Sequence, residues 1–219
     1  MSDTDSFIDE VTQEVRRERL YGMIRRYGWI AVLLVLALVG GAAWSEWRAA
    51  SARAQAQAQG DALLAALDET DAAARAETLS TLDLDGGAAA VSAMLAAATL
   101  EEEGDFAGAR AALLRIADRS DVPAPYGEIA AFKAALLLQD DPAALSAEME
   151  GFTAPGAPFR LLALEQMASA AIALGRTEDA LRLLREIDED AEIGPGLRDR
   201  VQTMMLALGD GAGDAAAAE

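Results

Sequence analysis

The sequence predicts an all-α protein in which one N-terminal transmembrane helix precedes a domain of repeated helix pairs. Three observations lead to this fold class. Residues 27–45 form a run of nineteen residues without a charge. From Gly60 onward, alanine-rich segments of helical period alternate with short breaks, and no segment shows the two-residue alternation of a β-strand. One pattern of glycine, alanine and leucine also recurs at an interval of 71 residues.

The uncharged run lies between Arg26 and Glu46. As a helix rising about 1.5 Å per residue, it spans roughly the 30 Å of a bilayer's hydrocarbon core. We therefore predict a transmembrane signal-anchor helix over residues 27–47. Aromatic side chains that settle among lipid headgroups stand at both of its ends: Tyr27, Trp29, Trp44 and Trp47.

Two other interpretations of this run are open. A cleaved signal peptide would use Gly41, Ala42 and Ala43 as its small-residue cleavage site. The long, acid-containing leader before the run favours the anchor, as do the tryptophans that cleavage would leave without a role. A buried core helix would need a domain able to cover every face, and the flanking residues do not resemble one.

Arginine predicts the orientation of the helix. Five arginines stand within eleven residues before the run, whereas only Arg48 and Arg53 lie near its other end. The positive-inside rule then keeps the N-terminus in the cytoplasm and exports residues 48–219. The five arginines are Arg16, Arg17, Arg19, Arg25 and Arg26.

Composition argues against several classes of function. The net charge is −19, and residues 28–219 carry 13 basic and 31 acidic side chains, so the exported part should repel nucleic acid and anionic lipid. The chain has no cysteine and no histidine, which removes disulfides, thiol nucleophiles and the commonest general base and metal ligand. We expect no enzyme, no cofactor and no small-molecule substrate.

The segments beside the anchor are predicted to be helical. Residues 1–26 form a cytoplasmic tail in which Ile8, Val11 and Val15 stand at helical spacing between charges, as in a short amphipathic helix. Residues 48–60 are rich in alanine and glutamine and should continue the membrane helix as a stalk.

Short breaks rich in glycine, proline and aspartate divide the exported domain, residues 61–208. The tail, residues 209–219, holds only glycine, alanine and acids and is predicted to be disordered. The breaks fall near residues 84–87, 104–105, 121–125, 140–142, 153–158, 175 and 194–196.

The spacing of the breaks indicates a repeat. Residues 104–113 and 175–184 share a glycine, an alanine five residues later and a leucine four residues after that. Their separation is two periods of roughly 35 residues, close to the tetratricopeptide repeat of about 34, and residues 139–142 form a break midway. We therefore predict a tetratricopeptide-like α-solenoid, with an unrelated helical bundle as the alternative.

The pattern has a physical basis. Glycine tolerates the positive φ of a turn that ends a first helix, alanine lets the second helix approach closely, and leucine fills the space between repeats. Pro123 or Pro125 follows one second helix and Pro195 the other. Residues 61–87 supply an earlier, weaker unit, with Ala74 near the expected place.

A last helix is predicted to close the stack. It covers residues 196–208, and its apolar stripe consists of Val201, Met204, Met205 and Leu208.

The whole layout resembles a bacterial inner-membrane family, the ancillary subunit of the Sec translocon. The resemblance covers residues 7–208 and is carried by Phe7-Ile-Asp-Glu-Val-Thr-Gln-Glu-Val-Arg-Arg17, by Arg25-Arg-Tyr-Gly-Trp-Ile30 and by the turns at Gly104-Asp-Phe106 and Leu174-Gly175. It implies a periplasmic domain that associates with translocon subunits and a membrane-anchored periplasmic chaperone and helps exported chains to mature. It also implies no catalytic residues. A scaffold of the same architecture for cell division or cell-wall assembly is the alternative.

First helices of such a solenoid face its concave groove, where a partner segment binds. Counting back from the two glycines places eight mixed apolar and acidic residues there. Packing between neighbouring helices is the competing interpretation for Met94 and Ile172. The acid clusters 101–103 and 188–190 lack the spacing of a calcium loop and are interpreted as solvated helix ends. The eight groove residues are Val91, Met94, Ala98, Glu101, Leu162, Glu165, Ser169 and Ile172.

Overall fold

The computed structural model describes the backbone of residues 3–209 and the side chains of residues 25–30 and 32–209. All regular structure in this part of the chain is helical, which confirms the all-α prediction. The helices are α1 Asp3–Leu67, α2 Ala72–Thr81, α3 Gly86–Glu102, α4 Phe106–Ala117, α5 Ala124–Leu136, α6 Pro142–Met149, α7 Arg160–Ala173, α8 Thr177–Asp188 and α9 Pro195–Ala207, with a 3₁₀ turn Glu150–Phe152 between α6 and α7.

Helix α1 contains the apolar run. The stretch Arg25–Leu67 includes a window long and apolar enough to cross a membrane, and none of that window is buried inside the protein. A core helix of a globular domain would bury most of such a window, so this exposure argues against the buried-core interpretation. The rings of Trp44 and Trp47 lie 5.3 Å apart, and the guanidinium of Arg48 lies 5.7 Å from the centre of the Trp44 ring.

The chain divides into two compact units between Ala58 and Gln59. Within the first unit, the backbone of the predicted amphipathic segment belongs to α1. The burial of Ile8, Val11 and Val15, like the predicted disorder of residues 210–219, lies outside the described residues.

The second unit consists of helix pairs at a regular interval. Helices α3 and α4 pack closely against each other, as do α7 and α8, whereas α5 packs more against α4 than against α6. The end of α1 joins α2 and α3 in a core cluster through Ala66, Leu79 and Ala96. The second helices of the four pairs begin 34, 36 and 35 residues apart, at Ala72, Phe106, Pro142 and Thr177.

Glycine occurs where the turn within a pair is shortest. Gly104 and Gly175 lie in three-residue turns and have φ angles of 80° and 71°, as the sequence predicted. The other two turns, residues 68–71 and 137–141, are longer, and no residue other than glycine has a positive φ in the described chain. A longer connection can reverse direction without the left-handed conformation, which explains why these two turns lack glycine.

Aspartate begins three of the four second helices. The side chains of Asp71, Asp105 and Asp141 accept hydrogen bonds of 2.8, 2.9 and 3.1 Å from the backbone N–H three residues later. Such N-caps each stabilise a helix by about 1 kcal/mol, because they satisfy an otherwise unpaired N–H at its start. The sequence reading missed the first of these turns, at residues 68–71, which holds neither glycine nor proline.

Alanine and leucine at matching positions build the core between helices. Ala109 and Ala180 are fully buried, as are Leu113 and Leu184. Phe132 of α5 stacks on Phe159 and meets Phe152 edge-on, which fixes the segment between α6 and α7. The predicted stripe of α9 packs against the last core cluster through Val201, Met204, Met205 and Leu208.

The prolines begin helices rather than only ending them. Pro123 is the N-cap of α5 and Pro195 is the first residue of α9. At these positions the missing N–H costs nothing, because the first N–H groups of a helix have no partner within it.

We expect Gly175→Ala to destabilise the chain. The backbone at this position has a positive φ, which costs roughly 1–2 kcal/mol for a residue with a Cβ atom. Thermal unfolding of the full chain in mild detergent, followed by circular dichroism, should show a midpoint lower by about 2–8 °C. The matched control is Gly196→Ala, in the first turn of α9, where φ is ordinary and no atom lies within 4 Å of the added carbon. Equal midpoints for the two variants would contradict the role given to the turn.

Candidate protein-interaction surface

The predicted groove residues of α3 lie on one helical face, part of which reaches solvent. Val91 is 41% exposed, and Ala98 is also exposed. Glu101 is half-buried at the end of the helix. Met94 is half-buried and packs against the core formed with α4, which favours the packing interpretation for this residue.

On α7 the predicted set divides into exposed and buried members. Leu162 and Ile172 are 39% and 38% exposed, near the two ends of the helix. Ser169 is half-buried, and its hydroxyl donates a hydrogen bond of 3.0 Å to the carbonyl oxygen of Glu165. Glu165 itself is only 5% exposed and is therefore not available as a surface acid.

Glu165 joins α7 to α9. Its two carboxylate oxygens accept hydrogen bonds from Nε and Nη2 of Arg200, at 2.6 and 2.8 Å. This paired geometry satisfies the buried carboxylate and raises the pKa of the Arg200 guanidinium, through the hydrogen bond first and the attraction of opposite charges second. The residue predicted to line a groove thus holds the terminal helix in place.

A second ion-pair group, missed by the sequence reading, joins α7 to α8. Nη2 of Arg160 lies 2.6 Å from Oε1 of Glu186, and Nη1 lies 2.6 Å from Oδ2 of Asp190. The backbone N–H of Glu192 lowers the pKa of Asp190, and the Arg160 guanidinium lowers it further. Asp190, interpreted from sequence as a solvated acid, is in fact paired.

The two predicted halves of the groove lie on helices without extensive mutual contact. Helix α3 packs mainly against α2, α4 and α5, whereas α7 packs against α6 and α8. Within the predicted set, Val91, Leu162 and Ile172 are the large apolar side chains exposed enough to contact a partner. In the part of the chain with described side chains, no group of three or more acids is arranged to hold a metal ion.

No protein-family model matches the chain, and comparisons with curated proteins and with solved structures find no significant match.

We expect Arg200→Met to lower the thermal midpoint of the full chain in detergent by roughly 2–8 °C, because it leaves a buried carboxylate without its partner. Adding Glu165→Gln should restore part of the loss, since the remaining amide carries no charge. Arg182→Met is the control, because its pair with Asp179 lies on an exposed helix face. If Arg200→Met and Arg182→Met have the same thermal midpoint, the pair of Glu165 and Arg200 does not hold α9 in place.

Proposed function

We propose that this protein is a membrane-anchored protein-interaction module, accessory to the Sec translocon and to periplasmic chaperones in the maturation of exported proteins. Its helix pairs form a tetratricopeptide-like solenoid. The observation that supports this best is the regular start of the four second helices, 34, 36 and 35 residues apart, behind a helix able to cross a membrane.

The repeat interpretation has support at the level of single residues. Helices α4 and α8 each have twelve residues and bury the same four positions, which are 71 residues apart. In α4 these are Ala109, Ala112, Leu113 and Ile116. Stacked units of one kind place equivalent residues in equivalent surroundings, whereas an unrelated bundle has no reason to do so.

The proposed location follows from the anchor and its arginines. With the N-terminus in the cytoplasm of a bacterium, residues 48–219 lie in the periplasm, tethered to the inner membrane. The translocon enters through the resemblance of residues 7–17 and 25–30 to the ancillary subunit family. The proposal needs no catalytic step, because such a module acts by holding proteins together.

The surface chemistry suits a partner with apolar side chains. Val91, Leu162 and Ile172 are exposed on a domain that is otherwise strongly acidic. Apolar contacts supply affinity, while the acidic surroundings disfavour acidic or nucleic-acid partners.

The test is affinity purification of the full chain from gently solubilised membranes, beside a version whose residues 27–47 are replaced by a foreign transmembrane helix. We expect translocon subunits to be recovered with the native anchor and identified by mass spectrometry. Their loss with the foreign helix would place the contact in the membrane. Recovery of division or cell-wall proteins instead would favour the alternative scaffold.

A second test addresses the surface itself. A photo-crosslinking residue placed at Val91 or Leu162 should form an adduct with a protein that is also recovered by affinity purification, because both positions are exposed and apolar. The control position is Arg182, exposed on α8 and paired with Asp179. Adducts that form equally at all three positions would show that α3 and α7 do not carry the contact.

A further inference from the structure

Two tryptophans and an arginine lie together where the apolar run of α1 ends. The rings of Trp44 and Trp47 are 5.3 Å apart and tilted by 40°, and the guanidinium of Arg48 lies 5.7 Å from the centre of the Trp44 ring. The three residues stand at i, i+3 and i+4 of one helix, so they share a face. All three side chains are exposed, so this cluster is open to whatever surrounds this part of α1.

Arg48 is held in place but is not neutralised. A cation over the face of a tryptophan ring is attracted by the ring, which limits the orientations of the guanidinium. Among the residues with described side chains, no carboxylate pairs with Arg48. The acid nearest in sequence, Glu46, lies on the opposite side of the helix, where its Oε1 is 3.4 Å from Nη1 of Arg53. The N–H groups of Arg48 are therefore free to bind an anion from outside the chain.

The local charge favours an anion, although the exported part as a whole is acidic. Residues 47–60 contain Arg48, Arg53 and no acid, and the first acid beyond them is Asp61. As part of α1, this segment spans about 20 Å, more than twice the Debye length of roughly 8 Å in physiological salt. The acidic side chains that follow therefore do not cancel the attraction of an anion to Arg48.

The helix has no side chains directly before the tryptophans on this face. Gly40 and Gly41 stand four and three residues before Trp44, and no atom lies within 4 Å of a carbon added at either position. The rings of Trp44 and Trp47 thus stand out from the helix, whereas the surface one turn deeper in the apolar run is open. Tryptophan rings settle at the boundary between headgroups and acyl chains, so this open surface lies at the depth of the acyl chains.

We propose that Trp44, Trp47 and Arg48 bind one anionic phospholipid at the exported end of the anchor. The guanidinium of Arg48 donates paired hydrogen bonds to the lipid phosphate, and the two rings pack against the glycerol backbone. One acyl chain lies along Gly40 and Gly41. This site goes beyond the translocon assignment and rests only on the membrane anchor of the proposed function.

Charge selects the class of lipid. A phospholipid with an uncharged headgroup, such as phosphatidylglycerol, carries one net negative charge, which Arg48 balances. A zwitterionic lipid would bring a cation to the same place, where Glu46 is already paired with Arg53 and the face of Trp44 is already covered by Arg48. One arginine near an anionic surface contributes a preference of about fivefold.

The experiment uses the full chain with the substitution Trp29→Phe, so that Trp44 and Trp47 are its only tryptophans. The protein is reconstituted in phosphatidylcholine vesicles that contain a minor share of phosphatidylglycerol, with bromine on the acyl chains of one lipid at a time. Quenching of tryptophan fluorescence reports which lipid lies beside the rings. We expect phosphatidylglycerol to bind there about fivefold more strongly than phosphatidylcholine.

The deciding variant is Arg48→Gln, which should bring this ratio of binding constants close to one. Arg53→Gln is the matched control, because it removes the same charge from the opposite face of the helix and should leave most of the preference. Circular dichroism establishes that each variant keeps its helices. A ratio near one before the arginine substitutions, or an equal loss in the two arginine variants, would overturn the site.

A second copy of the chain is the competing occupant of this face. Packing of two anchors through Gly40 and Gly41 would shield the rings from lipid. Quenching by both brominated lipids would then rise as the protein is diluted in the bilayer. That rise, with no preference for phosphatidylglycerol at any dilution, would overturn the lipid site in favour of a dimer.

Failure of this site can be separated from failure of the proposed function. No quenching by either brominated lipid would place the tryptophans outside a membrane and overturn both the site and the anchor. Equal quenching by the two lipids would contradict the site alone. A preference that depends on Arg48, with no recovery of translocon subunits, would support the site and contradict the translocon assignment.

Discussion

Close approach of helices at alanine is the constraint on which the rest of this structure depends. Ala109 and Ala180 have no exposed surface, and short turns with glycine at positive φ bring the paired helices together there. An alanine contact allows neighbouring helices to pack at a short distance, but it buries little apolar area per residue. Each pair must therefore gain stability from the leucines between units and from whatever else fills the remaining space.

Charged side chains fill part of that space. Arg160 lies between α7 and α8 with both ends of its guanidinium paired, and Glu165 binds Arg200 across to α9. Pairs of this kind hold helices in register where small side chains alone would leave a void. At the position 71 residues earlier, on α3, the sequence has Ala89 instead of an arginine. The two hairpins thus share their buried alanine and leucine positions, whereas their charged contacts differ.

The sequence predicts the helices better than their contacts. Glycine, alanine and leucine at a fixed interval identify α4 and α8, because turn geometry and close packing each demand one residue type. The turn at residues 68–71 is not predicted, because it contains only acids and threonine and no glycine or proline. The sequence alone does not distinguish its N-cap, Asp71, from a surface acid. The helical position of Glu165 predicts a groove residue, but the structure buries this carboxylate with a charged partner. That partner, Arg200, is 35 residues away, so periodicity alone could not identify it.

Anchoring changes what a small site has to achieve. A few exposed apolar side chains supply only modest affinity, because few contacts are made and the partner loses freedom on binding. A domain tethered to a membrane meets partners that emerge at or reside in the same membrane, and tethering raises their effective concentration to about the millimolar range. Under the proposed function, contacts of the anchor combine with weak binding at Val91 and Leu162. The association is then specific through several weak contacts and is released quickly when any one of them is lost.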